Sequence, residues 1–229
     1  MIDLHTHLLP SVDDGSSSME ESLGLLEMLT SQGVKKIFAT PHFYADRDTP
    51  ERFLERRARA YEALLSARRE NLAEVDLGAE VAYFQGISRM RELPQMRLGS
   101  TRLLLLEMPP VRWSDYTVRE LTELTCMGEI CPVIAHVERC MEYQPASVVR
   151  TLLDRGIVMQ ANASFFIRPR SARRALKLWK RGEIHVIASD CHNLHTRPPR
   201  IREAMDRIAA RFGDGAIHSM CNFLEQITM

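Results

Sequence analysis

Ile2-Asp3-Leu4-His5, running on into Thr6-His7, is a short apolar stretch that ends in metal-ligating side chains, and its recurrence along the chain decides the fold. Six further runs resemble it in length: 36–40, 76–81, 103–107, 132–136, 157–162 and 185–189. Between them lie longer segments whose apolar residues recur at three and four, such as Leu25, Leu26 and Leu29, or Phe53, Leu54, Ala58, Tyr61 and Leu65. That spacing marks amphipathic crossover helices. Strands alternating with helices imply a parallel sheet, and seven of them imply a closed or nearly closed barrel.

Start and stop signals agree with this division. Ser17-x-x-Glu20 reads as a capping box and Thr49-Pro50 as N-cap and first helical residue, while Gly33, Gly128, Gly156 and Gly182 read as C-terminal stops. The apolar stripes Val118, Leu121, Leu124, Met127 and Val148, Val149, Leu152, Leu153 read as core-facing helix surfaces. No repeat, low-complexity segment or linker interrupts the pattern, so residues 1–229 are expected to form one domain.

The 30 basic and 30 acidic side chains balance, which argues against a nucleic-acid-binding protein. Arg168, Arg170, Arg173, Arg174, Lys177, Lys180 and Arg181 form a local basic cluster, most of which reads as one solvated helix face. The N-terminus lacks a basic region followed by a long apolar stretch, and no later run approaches membrane-spanning length, so a cytoplasmic protein with no membrane insertion is expected. Five cysteines without a C-x-x-C pair read as reduced thiols.

In a parallel barrel, residues at the C-terminal strand ends converge on one rim, where such folds place their chemistry. Here those ends carry His5-Thr6-His7, Thr40-Pro41-His42, Glu80, Glu107, His136 and Asp190-Cys191-His192. Alternate residues of an extended segment face one way, so His5 with His7, and Asp190 with His192, can each share an ion. A lone buried histidine is ordinarily a hydrogen-bonded core residue; five of the eight falling at one end of successive strands is a different matter. The carboxylates Glu80, Glu107, Asp190 and Asp14 would repel one another unless cations lay between them. Three divalent ions among four carboxylates would leave a charge of about +2, suited to a phosphate dianion. Imidazole and carboxylate without thiolate favour manganese, iron or zinc over calcium.

The motifs Asp3-Leu4-His5-Thr6-His7-Leu8-Leu9-Pro10, Val12-Asp13-Asp14-Gly15, Ala39-Thr40-Pro41-His42, Gly78-Ala79-Glu80, Leu105-Leu106-Glu107-Met108-Pro109, Ala135-His136-Val137-Glu138-Arg139 and Ser189-Asp190-Cys191-His192-Asn193 resemble the polymerase-and-histidinol-phosphatase (PHP) superfamily. Within it they are similar to the bacterial CpsB/CapC-type protein-tyrosine phosphatases of capsule and exopolysaccharide biosynthesis. The resemblance covers nearly the whole chain and implies an α/β fold, a distorted (β/α)7 barrel, holding three divalent metals, manganese first, with iron, zinc or magnesium as substitutes. It implies that His5, His7 and Asp190 hold one ion, that Glu80 bridges to a second completed by Glu107 and His136, and that Asp14, His42 and His192 hold the third. Arg139 and Arg197 would clamp the substrate phosphate. The implied partner is a phosphotyrosine-bearing protein tail of a membrane-associated tyrosine kinase. Val137 and Cys140 depart from the usual A-H-P-E-R-Y, and Phe43 follows the second strand, which bears on loop shape rather than on the ligands.

The expected nucleophile is a metal-activated hydroxide. Cys191 and Arg197 match the C-x5-R spacing of cysteine-dependent tyrosine phosphatases, but no glycine between them shapes a backbone phosphate cradle, so Cys191 reads as structural. Phe43, Tyr44, Trp113, Tyr116, Phe165 and Phe166 are candidates for an aromatic platform, or else for loop packing. A histidinol-phosphatase-like or other small-molecule phosphatase is the rival activity on the same scaffold, ahead of a phosphodiesterase acting on nucleic acid and a non-catalytic binding module.

Overall fold

The computed structural model describes residues 1–229. Its strands are β1 (Ile2–Thr6), β2 (Lys36–Ala39), β3 (His42–Phe43), β4 (Glu74–Leu77), β5 (Glu80–Ala82), β6 (Leu103–Glu107), β7 (Cys131–Ile134), β8 (Val158–Asn162) and β9 (Val186–Ala188). All pair in parallel, in the orders β1-β2-β4 and β3-β5-β6-β7-β8-β9.

Nine segments replace the seven expected strands because two strands break midway. The second breaks at Thr40-Pro41, where proline has no N–H to offer a ladder. The third breaks beside it at Gly78-Ala79, where a Cβ on Gly78 would come within 2.5 Å of Leu98 Cδ2 and 3.1 Å of Thr40 Cγ2. The two broken strands stay in step, Gly78 N donating to Ala39 O (2.8 Å) and Glu80 N to Pro41 O (3.1 Å). Seven strand positions therefore remain. The first and last meet through a Thr6–Cys191 bridge, with Asp190 N donating to His5 O and His7 N to Cys191 O, both at 2.9 Å. The buried Asp3 Oδ1 accepts from Ser189 N (3.0 Å) across the same seam. The result is a distorted (β/α)7 barrel.

The helices are α1 (Met19–Ser31), α2 (Pro50–Ala67), α3 (Asp115–Cys126), α4 (Ala146–Asp154), α5 (Ala163–Ile167), α6 (Ala172–Lys180), α7 (Ile201–Phe212) and α8 (Asp214–Thr228). The third crossover departs from the expected alternation: only two 3₁₀ turns, Ile87–Arg89 and Leu93–Met96, follow β5, the second built around Pro94. Buried Glu120 on α3 ties this connection down, accepting from Tyr83 Oη (2.8 Å), Gly86 N (3.2 Å) and Ser88 N (3.3 Å).

Thr49 caps α2 with Pro50 as its first residue, and Gly33, Gly128, Gly156 and Gly182 all take positive φ just past helix ends, as read from sequence. The capping box of α1 lies one residue later than expected. Ser18 Oγ accepts from Glu21 N (3.2 Å) and the Glu21 carboxylate accepts from Ser17 N (2.9 Å). One continuous cluster of 58 buried residues forms the core. Leu121, Leu124 and Leu152 from the two helical stripes belong to it, whereas Met127 is exposed. No helix is long and apolar enough to cross a membrane.

Candidate metal centre

The strand breaks set the site. With β3 and β5 displaced from β2 and β4, His42 pairs in register with Glu80, and Ala82 with Glu107, so three ligand-type residues stand side by side at the rim. From the seam opposite come His5, His7, Asp190 and His192. The nine expected ligand residues meet in one pocket, with ligand atoms grouped as His5, His7, Asp190; as His7, Asp14, His42, His192; and as His42, Glu80, Glu107. Within each group the atoms lie within 4.8 Å of one another. His136 joins through Nε2, 2.7 Å from Glu80 Oε1 and 3.5 Å from Glu107 Oε1. His5, His7, Glu80, His136, Asp190 and His192 are buried, Glu107 and His42 half-buried, and Asp14 exposed.

Two of the expected ligand residues carry backbone strain. His136 (φ 30°) and Asp190 (φ 51°) take the left-handed conformation that L-residues avoid, at a cost of roughly 1–2 kcal/mol each. Hydrogen bonds across the barrel maintain both, which fits strain held at a functional site.

Three buried polar atoms of the pocket lack partners. Oε2 of Glu80 lies 3.1 Å from His5 Nε2, 3.2 Å from His7 Nε2 and 3.1 Å from His42 Nδ1, yet makes no well-aligned hydrogen bond. His42 Nδ1 and His192 Nε2 are likewise buried and unpartnered. Nε2 of His5 and Nε2 of His7 face each other at 3.1 Å. Buried polar atoms are normally paired, so three orphans in one pocket are what residues arranged around a cation would leave. The donor set of imidazoles and carboxylates suits a divalent transition metal.

The imidazoles are already turned for this role. Nδ1 of His5 faces Gln160 Oε1 (3.1 Å), Nδ1 of His7 faces Asp13 Oδ2 (2.7 Å), and Nδ1 of His192 faces Asp190 O (3.1 Å). Amide, carboxylate and carbonyl oxygens only accept, so Nδ1 donates in all three and Nε2 is left for the pocket. Burial opposes a charge on His5, but Glu80 and Asp190 outweigh it and raise its pKa. Burial likewise opposes a charge on His7, and Asp13 overcomes it, holding the imidazole well above its usual range. Burial would raise Glu80 and Asp190, but the neighbouring histidines hold both below the carboxylate range. Burial and the nearby His7 push His192 down to about 3. At His5 and His7 the neighbouring carboxylates thus outweigh burial, and at His192 burial prevails.

Asp13, quoted above only as part of a motif, and Gln160 and Asn162 were given no role in the sequence reading. Asp13 also accepts from His42 N (2.9 Å) and Gly15 N (3.0 Å). A Cβ on Gly15 would overlap the His7 carbonyl oxygen, so the loop carrying Asp13 and Asp14 needs glycine there. Gln160 Oε1 accepts from His136 N (2.8 Å) and Asn162 Nδ2 donates to Asp190 Oδ2 (2.6 Å). Both come from β8, the one strand whose end offered no ligand. The available signals were the acid beside Asp14 and two amides at alternate positions of an apolar strand.

Arg139 and Arg197 reach the rim, and both donate to Asp190 Oδ2, at 3.1 and 2.9 Å. Oδ1 of the same carboxylate faces His5 and His7 at 3.4 and 3.5 Å. One side chain thus joins the metal pocket to the two guanidinium groups. Val137 and Cys140, on either side of Glu138 and Arg139, are buried in the core.

Cys191 is fully buried, and burial pushes its thiol up to about 12. The loop after it offers no phosphate cradle: the N–H groups of His195, Thr196 and Arg197 all donate to Asn193 Oδ1. Cys191 is structural, as expected. Of the six aromatic candidates, Phe43, Trp113, Phe165 and Phe166 are buried. Tyr44 stacks on His42 with ring centroids 5.2 Å apart. The proposed platform thus reduces to Tyr44 and the half-buried Tyr116, because the others pack the loops.

The family model for capsular polysaccharide synthesis, CpsB/CapC, matches residues 1–223. The chain belongs to that family. Among relatives of this CpsB/CapC chain, tyrosine-protein phosphatase CpsB of Streptococcus agalactiae is 32% identical over 226 residues, 93% of this chain and 91% of its own. Tyrosine-protein phosphatase YwqE of Bacillus subtilis is 30% identical over 225 residues, 93% of this chain and 85% of its own. A structure solved among YwqE of Bacillus subtilis and CpsB of Streptococcus pneumoniae, described as unique metal-dependent tyrosine phosphatases, superposes with a TM-score of 0.85 at 26% identity, over 99% of this chain and 94% of its own. Histidinol phosphate phosphatase of Lactococcus lactis shares the fold at a TM-score of 0.57 and 11% identity, over 94% of this chain and 93% of its own.

Proposed function

We propose that this chain is a metal-dependent protein-tyrosine phosphatase acting at the pocket between the barrel seam and the β3/β5 edge. The observation that carries the reading is the convergence of nine imidazole and carboxylate side chains around three unpartnered buried atoms, Glu80 Oε2, His42 Nδ1 and His192 Nε2. Three divalent ions, manganese first, fit the three overlapping ligand groups. In this reading His5, His7 and Asp190 would hold one, Glu80 with Glu107 and His136 would hold a second, and Asp14, His42 and His192 would hold the third. When bound, such ions lower the pKa of water towards neutrality and offset charge on the phosphoryl oxygens.

The protein's own groups do the rest. Asp13, Gln160 and the Asp190 carbonyl fix the imidazole rings, so that each Nε2 points inward before substrate arrives. Arg139 and Arg197, anchored on Asp190, present guanidinium N–H groups to the phosphate at the rim. Cys191, buried and protonated, takes no part.

The substrate in this reading is a phosphotyrosine-bearing segment of a membrane-associated tyrosine kinase of capsule or exopolysaccharide synthesis, met in the cytoplasm. The family's link to capsular polysaccharide synthesis and its relatives' names support this. A continuous core supports a single catalytic domain over residues 1–229. The test is a metal-reconstituted assay of phosphotyrosine peptide, histidinol phosphate and a phosphodiester, with metal content measured on the same sample. Preference for the peptide, with two or more ions per chain, is expected; preference for histidinol phosphate would replace the reading with its rival.

A further inference from the structure

Beside the metal pocket, a cavity of about 770 Å³ opens between the loop ending at Arg197 and the connection from α5 to α6. Asp190, Arg139 and Arg197 form the wall it shares with the proposed phosphate site. Its far wall carries Arg168 and Arg170. Five arginines line it against two carboxylates, Glu138 and Asp190, and apart from two prolines its one apolar side chain is Phe165.

The arginines differ in what they already hold. Arg139 and Arg197 are committed to Asp190, and Arg200 to Glu203 at 2.9 Å through Nε. Arg168 and Arg170 are exposed and have no carboxylate partner. They also stand apart from the basic face of α6, where Arg173, Arg174, Lys177 and Lys180 are exposed to solvent. Arg168-Pro169-Arg170 precedes that helix, and Arg168 is extended (φ −65°, ψ 131°), the conformation a following proline imposes. Two unpaired cations are thus presented from a stiffened connection into a concave surface that adjoins the reaction site. Low-dielectric walls concentrate such a field on an approaching anion.

We propose that this cavity is a second anion subsite, which selects substrates bearing aspartate or glutamate next to the phosphotyrosine. The proposal rests on the phosphatase reading for the position of the phosphate, and adds the chemistry of the flanking residues. In an extended peptide, residues two to four away from the phosphotyrosine lie about 7 to 13 Å along the chain, a reach on the scale of a cavity of about 770 Å³ that has Asp190 in its wall. A nucleic acid would call for aromatic faces on which bases stack, and Phe165 alone is a poor platform.

The test uses metal-loaded protein and two fluorescein-labelled phosphotyrosine peptides of equal length, one with Asp and Glu flanks and one with Asn and Gln. Binding is read by anisotropy and turnover by phosphate release. The readout is the ratio between the peptides, which a general loss of folded protein does not move. Two exposed ion pairs at low salt predict a preference of about three- to tenfold for the acidic peptide, shrinking as salt rises. Arg168→Ser with Arg170→Ser should bring the ratio to about one, and Arg168→Glu with Arg170→Glu should invert it. Equal binding of the two peptides, or a preference that survives in the double variants, overturns the subsite, as would tighter binding of a single-stranded oligonucleotide of equal charge. Absence of turnover on both peptides overturns the phosphatase reading instead, and the binding ratio still decides the subsite.

Discussion

The metal pocket and the arginine-lined cavity share Asp190 as a wall and are built on opposite principles. In the pocket the imidazoles of His5, His7 and His192 are each held by an acceptor on Nδ1, and two backbone positions are strained to aim His136 and Asp190. In the cavity Arg168 and Arg170 are exposed and unpaired. A site that performs chemistry needs its groups placed within fractions of an ångström, so it is buried and held from behind. A surface that reads a flexible segment needs only net charge and reach.

The largest effect should come from removing a residue at the pocket floor. Asp190→Ala deletes a ligand-type carboxylate and the anchor of both rim arginines, and should lower kcat on a phosphotyrosine peptide by about a thousandfold or more. His136→Ala should do the same, and full chelation should silence the wild-type protein, with activity returning on adding back manganese. Retention of near-wild-type turnover in either variant would mean the floor is not where the reaction occurs.

Next come the holders behind the ligands. Asp13→Asn and Gln160→Leu leave every proposed ligand in place but loosen His7 and His5, and should weaken metal affinity by about 10–100-fold, measured by competition with a chelating dye. An effect confined to substrate KM would show that these residues serve the rim rather than the pocket.

Metal uptake should also depend on pH, with a definite sign. Glu80 and Asp190 raise the pKa of His5 against its burial, and Asp13 that of His7, so protons compete with metal at both imidazoles above the ordinary imidazole range. Metal binding should therefore release protons, and apparent affinity should fall by about tenfold per pH unit for each proton released as pH drops. Above the raised pKa values the dependence should flatten. Calorimetry in two buffers of different ionisation enthalpy counts the protons, and a count of zero would contradict the upward shifts of His5 and His7.

The smallest effect should belong to Cys191→Ser, less than about threefold on kcat, because a buried thiol pushed up to about 12 is no nucleophile at neutral pH. Loss of turnover in this variant with metal still bound would revive a cysteine mechanism.

Legibility followed residue type. Eight of the nine candidate ligands could be read because histidines and acids at the ends of apolar runs are chemically conspicuous, and a parallel barrel brings such ends together whatever the details of its loops, whereas the loop residue Asp14 was placed with them by the family resemblance. Gln160 and Asn162 could not, because an amide in a strand is an ordinary residue until its partner is known. The strand breaks at Thr40-Pro41 and Gly78-Ala79 were missed for a similar reason: each is a modest local signal, and only their side-by-side packing makes them one feature. The basic cluster around 168–181 looked uniform in sequence, yet its first two members turned to the cavity while those on α6 faced solvent.

What the sequence determined alone was therefore an inventory and an order: a strand, a ligand-type residue at its end and a connection back, seven times over, with one strand end left empty. Tertiary structure decided which acceptor stands behind each imidazole, which carboxylate anchors the arginines and which cations remain free. Those relations join residues as distant as His5 and Gln160, 155 positions apart. Periodicity and capping act within a few residues along the chain, whereas a hydrogen bond across a barrel depends on how the whole sheet curls.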